Sequence, residues 1–291
     1  MRITGSRMLE LAAAATGKAQ TEVAETANQL SSGKRVDRPS DDPVAWAQAR
    51  RADIRRAASE GRGEALAFGK DQLVLTEQAL GTIGDILSET HEAAIQAANE
   101  TLTDEQRAGL AVRVAGMFQA ALSAANTRTV AGEYVLGGSA STTPPFDASG
   151  NFTGDAVQRS LELDGITTAT ATMTGSALTA SNGVEVLPMM SRFIAALQTN
   201  DLTAIRASVA ELDAAHEQTV RARTDAGAMF SVLDEADKAR GTFEDTMTAQ
   251  ISALVETDVV SAASDLARRS GALSAAQAVN AKLAALLSPS R

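Results

Sequence analysis

Residues 29–45 read Gln29-Leu30-Ser31-Ser32-Gly33-Lys34-Arg35-Val36-Asp37-Arg38-Pro39-Ser40-Asp41-Asp42-Pro43-Val44-Ala45. Within this stretch one helix stops and another starts. Ser31-Ser32-Gly33 closes the first, because glycine takes the left-handed C′ conformation without a Cβ clash. Residues 33–42 are then a polar loop. Asp42 followed by Pro43 opens the second helix: a side-chain acceptor at the N-cap, and a proline at N1 where no N–H is needed. Asp41 adds negative charge at the positive helix end. Asp41, Asp42 and Pro43 are therefore a helix-cap motif.

Toward the N-terminus, Leu9, Thr16, Val23 and Leu30 recur every seven residues, and Ala12, Ala19 and Thr26 fill the positions three further on. This is a thin heptad seam, too poor in leucine to hold a helix by itself in water. Toward the C-terminus there is no proline between Pro43 and Asn99. A 3–4 spacing through Ile54, Ala58, Gly61, Ala65, Phe68, Gln72, Leu75, Ala79, Ile83 and Ile86 predicts a helix on the order of 80 Å long, with Gly81 or Gly84 as candidate break points. Thr103-Asp104-Glu105-Gln106 is a capping box. It opens a helix with the stripe Leu110, Val114, Met117, Ala121 and Ala125, which folds back on its predecessor as an antiparallel hairpin.

The pattern changes at Gly132. Gly132-Glu133-Tyr134-Val135-Leu136-Gly137-Gly138 reads as a short strand between glycines, and Ser160 to Thr174 as a Thr-rich hairpin turning at Asp164-Gly165. Helices return near Pro188. Asn200-Asp201 caps a long one whose stripe includes Leu202, Ile205, Val209, Leu212, Phe230, Leu233, Met247, Ile251 and Leu254. A last seam follows: Val259, Leu266, Leu273, Asn280 and Leu287, with Ala262, Ala276 and Leu283 as companions, Arg269 interrupting, and Pro289 as the stop.

The predicted fold class is mainly α: a long antiparallel helical bundle or coiled coil with terminal seam helices and a small β-rich inserted domain. The predicted divisions are an N-terminal assembly helix and loop (1–42), two halves of a helical rod (43–131 and 188–256), a β-rich outer insertion (132–187) and a C-terminal assembly helix (257–291). Seams at both ends can pair with each other or with copies from other subunits. Leu9, Val23, Leu30, Val259, Leu266, Leu273, Leu283 and Leu287 are the candidate subunit-interface residues. The alternative is that they form the core of an intramolecular bundle.

Composition narrows the function. Aromatics make up 3% of the chain while the hydrophobic class reaches 44%, much of it alanine, which favours thin helix pairs over a thick core. A net charge of -10 disfavours nucleic acid and anionic membrane surfaces. Cysteine is absent, so no disulfide or thiolate metal site exists. No apolar run of 18 residues or secretory h-region is apparent, which predicts a soluble chain without membrane insertion. Should it leave the cell, export without a cleaved signal peptide is expected. The two histidines, His91 and His216, lack converging ligands, so no metal or cofactor is expected. His216 reads as a partly buried helix residue and His91 as a polar-face one. Trp46 is a core residue or an interface anchor. No phosphate loop, nucleophile elbow or metalloprotease motif is present, and no enzyme is expected.

Several strings resemble the flagellin-related axial proteins of bacterial flagella. Gln29 to Val36 is similar to the stretch that closes their N-terminal helix. Pro39-Ser40-Asp41-Asp42-Pro43-Val44-Ala45 resembles the hook-associated protein 3 family, the hook–filament junction proteins, where filament flagellins carry an Ala-Lys-Asp-Asp-Ala-Ala type sequence. Met1-Arg2-Ile3-Thr4, the Tyr134 segment followed by Thr143-Pro144-Pro145-Phe146, and Glu256-Thr257-Asp258 before the last seam resemble the same group. Leu136 departs from a frequent Phe, and Met229 from a polar residue. Residues 147–187 match no string.

The resemblance implies an extracellular flagellar protein exported unfolded through the flagellar type III apparatus, with an export chaperone. It implies a ring of about eleven subunits closed by heterologous contacts, between hook-associated protein 1 and flagellin, with the terminal helices inside and the insertion outside. The alternatives are a flagellin filament subunit and, from another class, a soluble coiled-coil adaptor.

Overall fold

The structure is a computed structural model and describes residues 5–287, with side-chain surroundings from Arg7 to Leu286. In chain order the elements are α1 (Gly5–Ser32), α2 (Pro43–Ala97), α3 (Asp104–Ala125), β1 (Ser160–Glu162), β2 (Thr168–Thr170), α4 (Val186–Gln198), α5 (Leu202–Val255) and α6 (Val259–Leu287). Two 3-10 turns, Gly175–Leu178 and Ala180–Asn182, precede α4. The chain divides into two compact units, one made of residues 1–58 with 243–291 and the other of residues 59–242.

The punctuation acts as the sequence predicts. Gly33 ends α1 at φ +69°. Asp42 caps α2, its Oδ1 accepting from the N–H of Ala45 at 3.0 Å. Thr103 and Gln106 complete the capping box of α3. Asp201 Oδ1 accepts from Thr203 and Ala204 at the start of α5.

The core of the 59–242 unit joins four helices: Leu80, Ile83 and Leu87 of α2, Val114 and Phe118 of α3, Met190, Phe193 and Leu197 of α4, and Ile205 and Leu212 of α5. Of the predicted α2 stripe, Gln72, Ala79 and Ile83 are buried as expected, and the expectation is corrected at its N-terminal half. Ile54 and Phe68 are exposed, while Leu66, Leu73, Leu80 and Leu87, seven apart, are buried. Apolar residues lie on two neighbouring faces of α2, and the α5 side selects the leucines. Gly81 and Gly84 do not break the helix. Arg223 lies over Gly81 and Thr219 beside Gly84, so the small residues admit neighbours rather than bends. α3 is apolar enough, by length and composition, to cross a membrane. Its buried face, however, packs into this core.

The 126–185 region has few strands. β1 and β2 pair antiparallel, Leu161 opposite Ala169, around the turn at Asp164. The hairpin sits on α2 at Gly69, where a Cβ would lie 2.8 Å from Leu161 Cδ1 and 3.1 Å from Leu233 Cδ1. Gly132–Gly138 is not a strand. Tyr134 makes only an isolated bridge with Arg128, whose guanidinium lies 4.3 Å from the ring centroid. No second strand runs alongside, so Tyr134, Val135 and Leu136 are buried from a turn instead. Gln218 of α5 ties down the segment that follows. Its Oε1 accepts from Val184 N, and its Nε2 donates to Ala177 O and Thr179 O.

Candidate assembly interface

The first unit brings the two ends of the chain together. α1 and α6 pack as an antiparallel pair. On α1, every predicted seam position from Leu9 to Leu30 is half-buried or, at Thr26, buried, while Met8, Leu11 and the alanines at 13–15 are exposed. On α6, Ala262 is buried, and Leu266, Leu273, Ala276, Asn280 and Leu283 are half-buried. Val259, the first residue of α6, is 56% exposed. The side chain of Leu287 lies outside the described residues.

The threonines fit the seam because their hydroxyls are satisfied locally. Thr16 donates to Ala12 O at 2.9 Å and Thr26 to Glu22 O at 2.8 Å. Arg269 interrupts the seam yet is half-buried, its guanidinium donating to Glu22 O at 3.4 Å. Few of the described residues of this unit are buried outright: Thr26, Val36, Ala45, Ala49, Ala52, Met247 and Ala262 are, and among these only Val36 and Met247 are large and apolar. At ~25 cal/mol per Å² of apolar surface, alanines contribute little, so this unit has much less internal stabilisation than the other.

The loop after α1 is joined to the break between α5 and α6. Arg35 N and Val36 N both donate to Val255 O, at 2.7 and 3.2 Å, and Thr257 N donates to Gly33 O at 3.0 Å. Arg35 also reaches Leu254 O at 2.9 Å and pairs with Asp42 at 3.3 Å. One arginine thus links the C-terminal carbonyls of α5 to the N-cap of α2, a favourable place for positive charge at the first and for its carboxylate partner at the second. Asp258 Oδ1 caps α6 by accepting from Val260 and Ser261. The strings Gly33 to Val36 and Glu256 to Asp258, far apart in sequence, meet in space. Sequence reasoning flagged each and missed that they touch. A loop and a helix break carry no periodicity from which pairing can be read.

The cap motif divides its work. Asp42 caps the helix, and its carboxyl is held below the ordinary range first by the Ala45 N–H and then by Arg35. Asp41 does not cap. Its Oδ2 accepts from Asp37 N and Arg38 N, closing the loop, and those two bonds lower its pKa. Pro43 is the first residue of α2. Trp46 is half-buried in the next turn. No group of three His, Cys, Asp or Glu residues fit to hold a metal occurs among the described residues. His216 is half-buried, with Nδ1 3.2 Å from Gly84 O, and His91 is half-buried as well.

A solved flagellar hook-associated protein of Vibrio parahaemolyticus superposes with a TM-score of 0.68 at 21% identity, covering 74% of this chain and 99% of that one. This is a flagellin-like fold. The flagellar junction protein FlgL of Legionella pneumophila is similar at a TM-score of 0.57 and 18% identity, covering 72% of this chain and 100% of that one. Residues 7–141 match the bacterial flagellin N-terminal helical region. Flagellar hook-associated protein 3 of Salmonella typhimurium is 30% identical over 177 residues, 60% of this chain and 56% of that protein. The chain thus spans about half the length of the curated relatives it matches.

Proposed function

We propose that this chain is a structural subunit of the bacterial flagellum that joins the hook to the filament. The observation that carries the reading is the 30% identity to hook-associated protein 3 over 177 residues. The Pro39-Ser40-Asp41-Asp42-Pro43 string favours the junction role over the filament role, and it lies where α1, α2 and the α5–α6 break meet. The protein works by packing, not by chemistry. It is exported without a cleaved signal peptide and bound by a chaperone on the way. It assembles as a ring between hook-associated protein 1 and flagellin. Leu9, Val23, Leu30, Leu266, Leu273 and Leu283, half-buried between α1 and α6, serve as one side of a larger helical layer built with neighbouring subunits. Val259 and Leu287 belong to the same layer. Residues 132–187 face outward.

Deletion of the gene, read by electron microscopy of the cells and assay of the medium, tests the proposal. Hooks without filaments, with flagellin shed into the medium, are expected. Normal filaments without shedding would refute a non-redundant junction role. A filament subunit is the second reading, favoured by the match to the flagellin N-terminal region. It predicts that the purified chain elongates into long filaments, whereas a junction subunit stays monomeric or forms short assemblies.

A further inference from the structure

Charge is divided unevenly between the two units. Residues 1–58 and 243–291 hold 14 Lys and Arg against 12 Asp and Glu, a net of +2, while residues 59–242 hold 12 against 24, a net of -12. The excess acid of the second unit has a specific place. Glu64, Asp71, Asp85, Glu89 and Glu92 recur at helical spacing along one exposed stripe of α2, and none forms an ion pair among the described residues. Phe68 and Val74, on the same stripe, are 43% and 41% exposed.

The first turns of α2 carry the complement. Arg50 and Arg56 both bond to Asp53, at 2.9 and 3.1 Å. That leaves Arg51 and Arg55, one turn apart and exposed, without an ion pair among the described residues. Val44 and Ile54 flank them at 67% and 63% exposure. A solvated helix face has no need of two large aliphatic side chains beside its unpaired charges. A docking face does, because burying the aliphatics supplies area while the charges set orientation.

We propose that the Val44–Arg51–Ile54–Arg55 face docks on the acidic stripe of α2 in a second copy of this chain. Neither face is self-complementary, since each would repel its own kind. The contact is therefore heterologous, and it passes from copy to copy as a closed layer requires. This inference rests on the assembly reading above and names the surfaces that reading leaves open.

The native chain has no cysteine, which permits a clean cross-linking test. A variant carrying Gln48→Cys beside the basic face and Gln78→Cys on the acidic stripe replaces the native protein in cells. Isolated flagella are oxidised and resolved under non-reducing conditions. A ladder of linked copies is expected. Adding R51E/R55E should reduce the linked fraction by about tenfold or more, with the melting temperature of the purified chain unchanged. Adding D71R/D85R to that variant should restore the ladder. A ladder indifferent to R51E/R55E, no ladder in flagella that contain the protein, or a loss that D71R/D85R fails to restore would each overturn the contact while leaving the junction reading intact. Absence of the Cys variant and of the native chain alike from isolated flagella would overturn both.

Discussion

Replacing Arg107 by methionine should destabilise the 59–242 unit more than any surface change in it. Arg107 is 3% exposed and has no carboxylate partner among the described residues. Its Nε donates to Ala97 O at 3.1 Å, one NH2 group to Asn99 O at 2.7 Å, and the other to Asn200 Oδ1 at 2.7 Å. Ala97 O ends α2, where partial negative charge accumulates and favours a cation, and Asn99 O lies in the turn just beyond it. Asn200 holds the α4–α5 turn at φ +52° and donates in turn to Asp104 at 2.6 Å. A single side chain thus closes the α2–α3 turn onto the α4–α5 turn. Methionine keeps the stem and removes all three donors. Each hydrogen bond to a charged group contributes roughly 1.5–3 kcal/mol, against a desolvation cost of several kcal/mol that the variant no longer bears, leaving a net loss of about 2–4 kcal/mol. Denaturant unfolding should show a lower midpoint at constant slope. Asn200→Gly accommodates the positive φ yet removes the acceptor, so R107M/N200G should fall short of additivity by about 1 kcal/mol or more. A change under about 0.5 kcal/mol for R107M, typical of surface sites, or full additivity in the double variant, would refute the staple.

Gly69→Val places atoms within 3 Å of Leu161 and should unseat the β1–β2 hairpin at a cost of about 1–3 kcal/mol, despite the usual helix gain on removing glycine; an unchanged thermal midpoint would contradict the close approach. Asp41 and Asp42 have folded pKa values below the ordinary 3.8, so what they contribute is present above that value and is lost as pH falls through the lower folded values. Asp42→Asn keeps the cap acceptor and should remove its share of that acid dependence, as read from the Ala45 amide signal in an NMR titration. Residues before about 40 and after about 257 should exchange their amides rapidly in the isolated monomer, because their seam buries mostly small side chains; strong protection of both ends would count against the need for partners.

The sequence alone determined the helix boundaries near 33, 42, 103 and 201, because Gly, Asp-Pro and capping boxes act within one turn. It also determined the seam positions from Leu9 to Leu30 and from Ala262 to Leu283, though not Val259, because a heptad writes the buried face of a helix into its spacing. What it did not determine is that the leucine face of α2 is buried along its length, joined by Gln72, Ala79 and Ile83 of the predicted stripe. Ile54 and Phe68 lost to Leu66, Leu73, Leu80 and Leu87 once α5 took its place. Nor did it predict that Tyr134 is buried from a turn instead of a strand, since a strand exists only beside a partner. The junction of Gly33–Val36 with Val255–Thr257, the Arg107 staple and the hairpin seated on Gly69 were decided by the tertiary structure alone. Each joins residues distant in sequence through single side chains or backbone groups. Such pairings leave no period to read, because what fixes them is the space and the unsatisfied hydrogen-bonding groups that remain after the helices have packed.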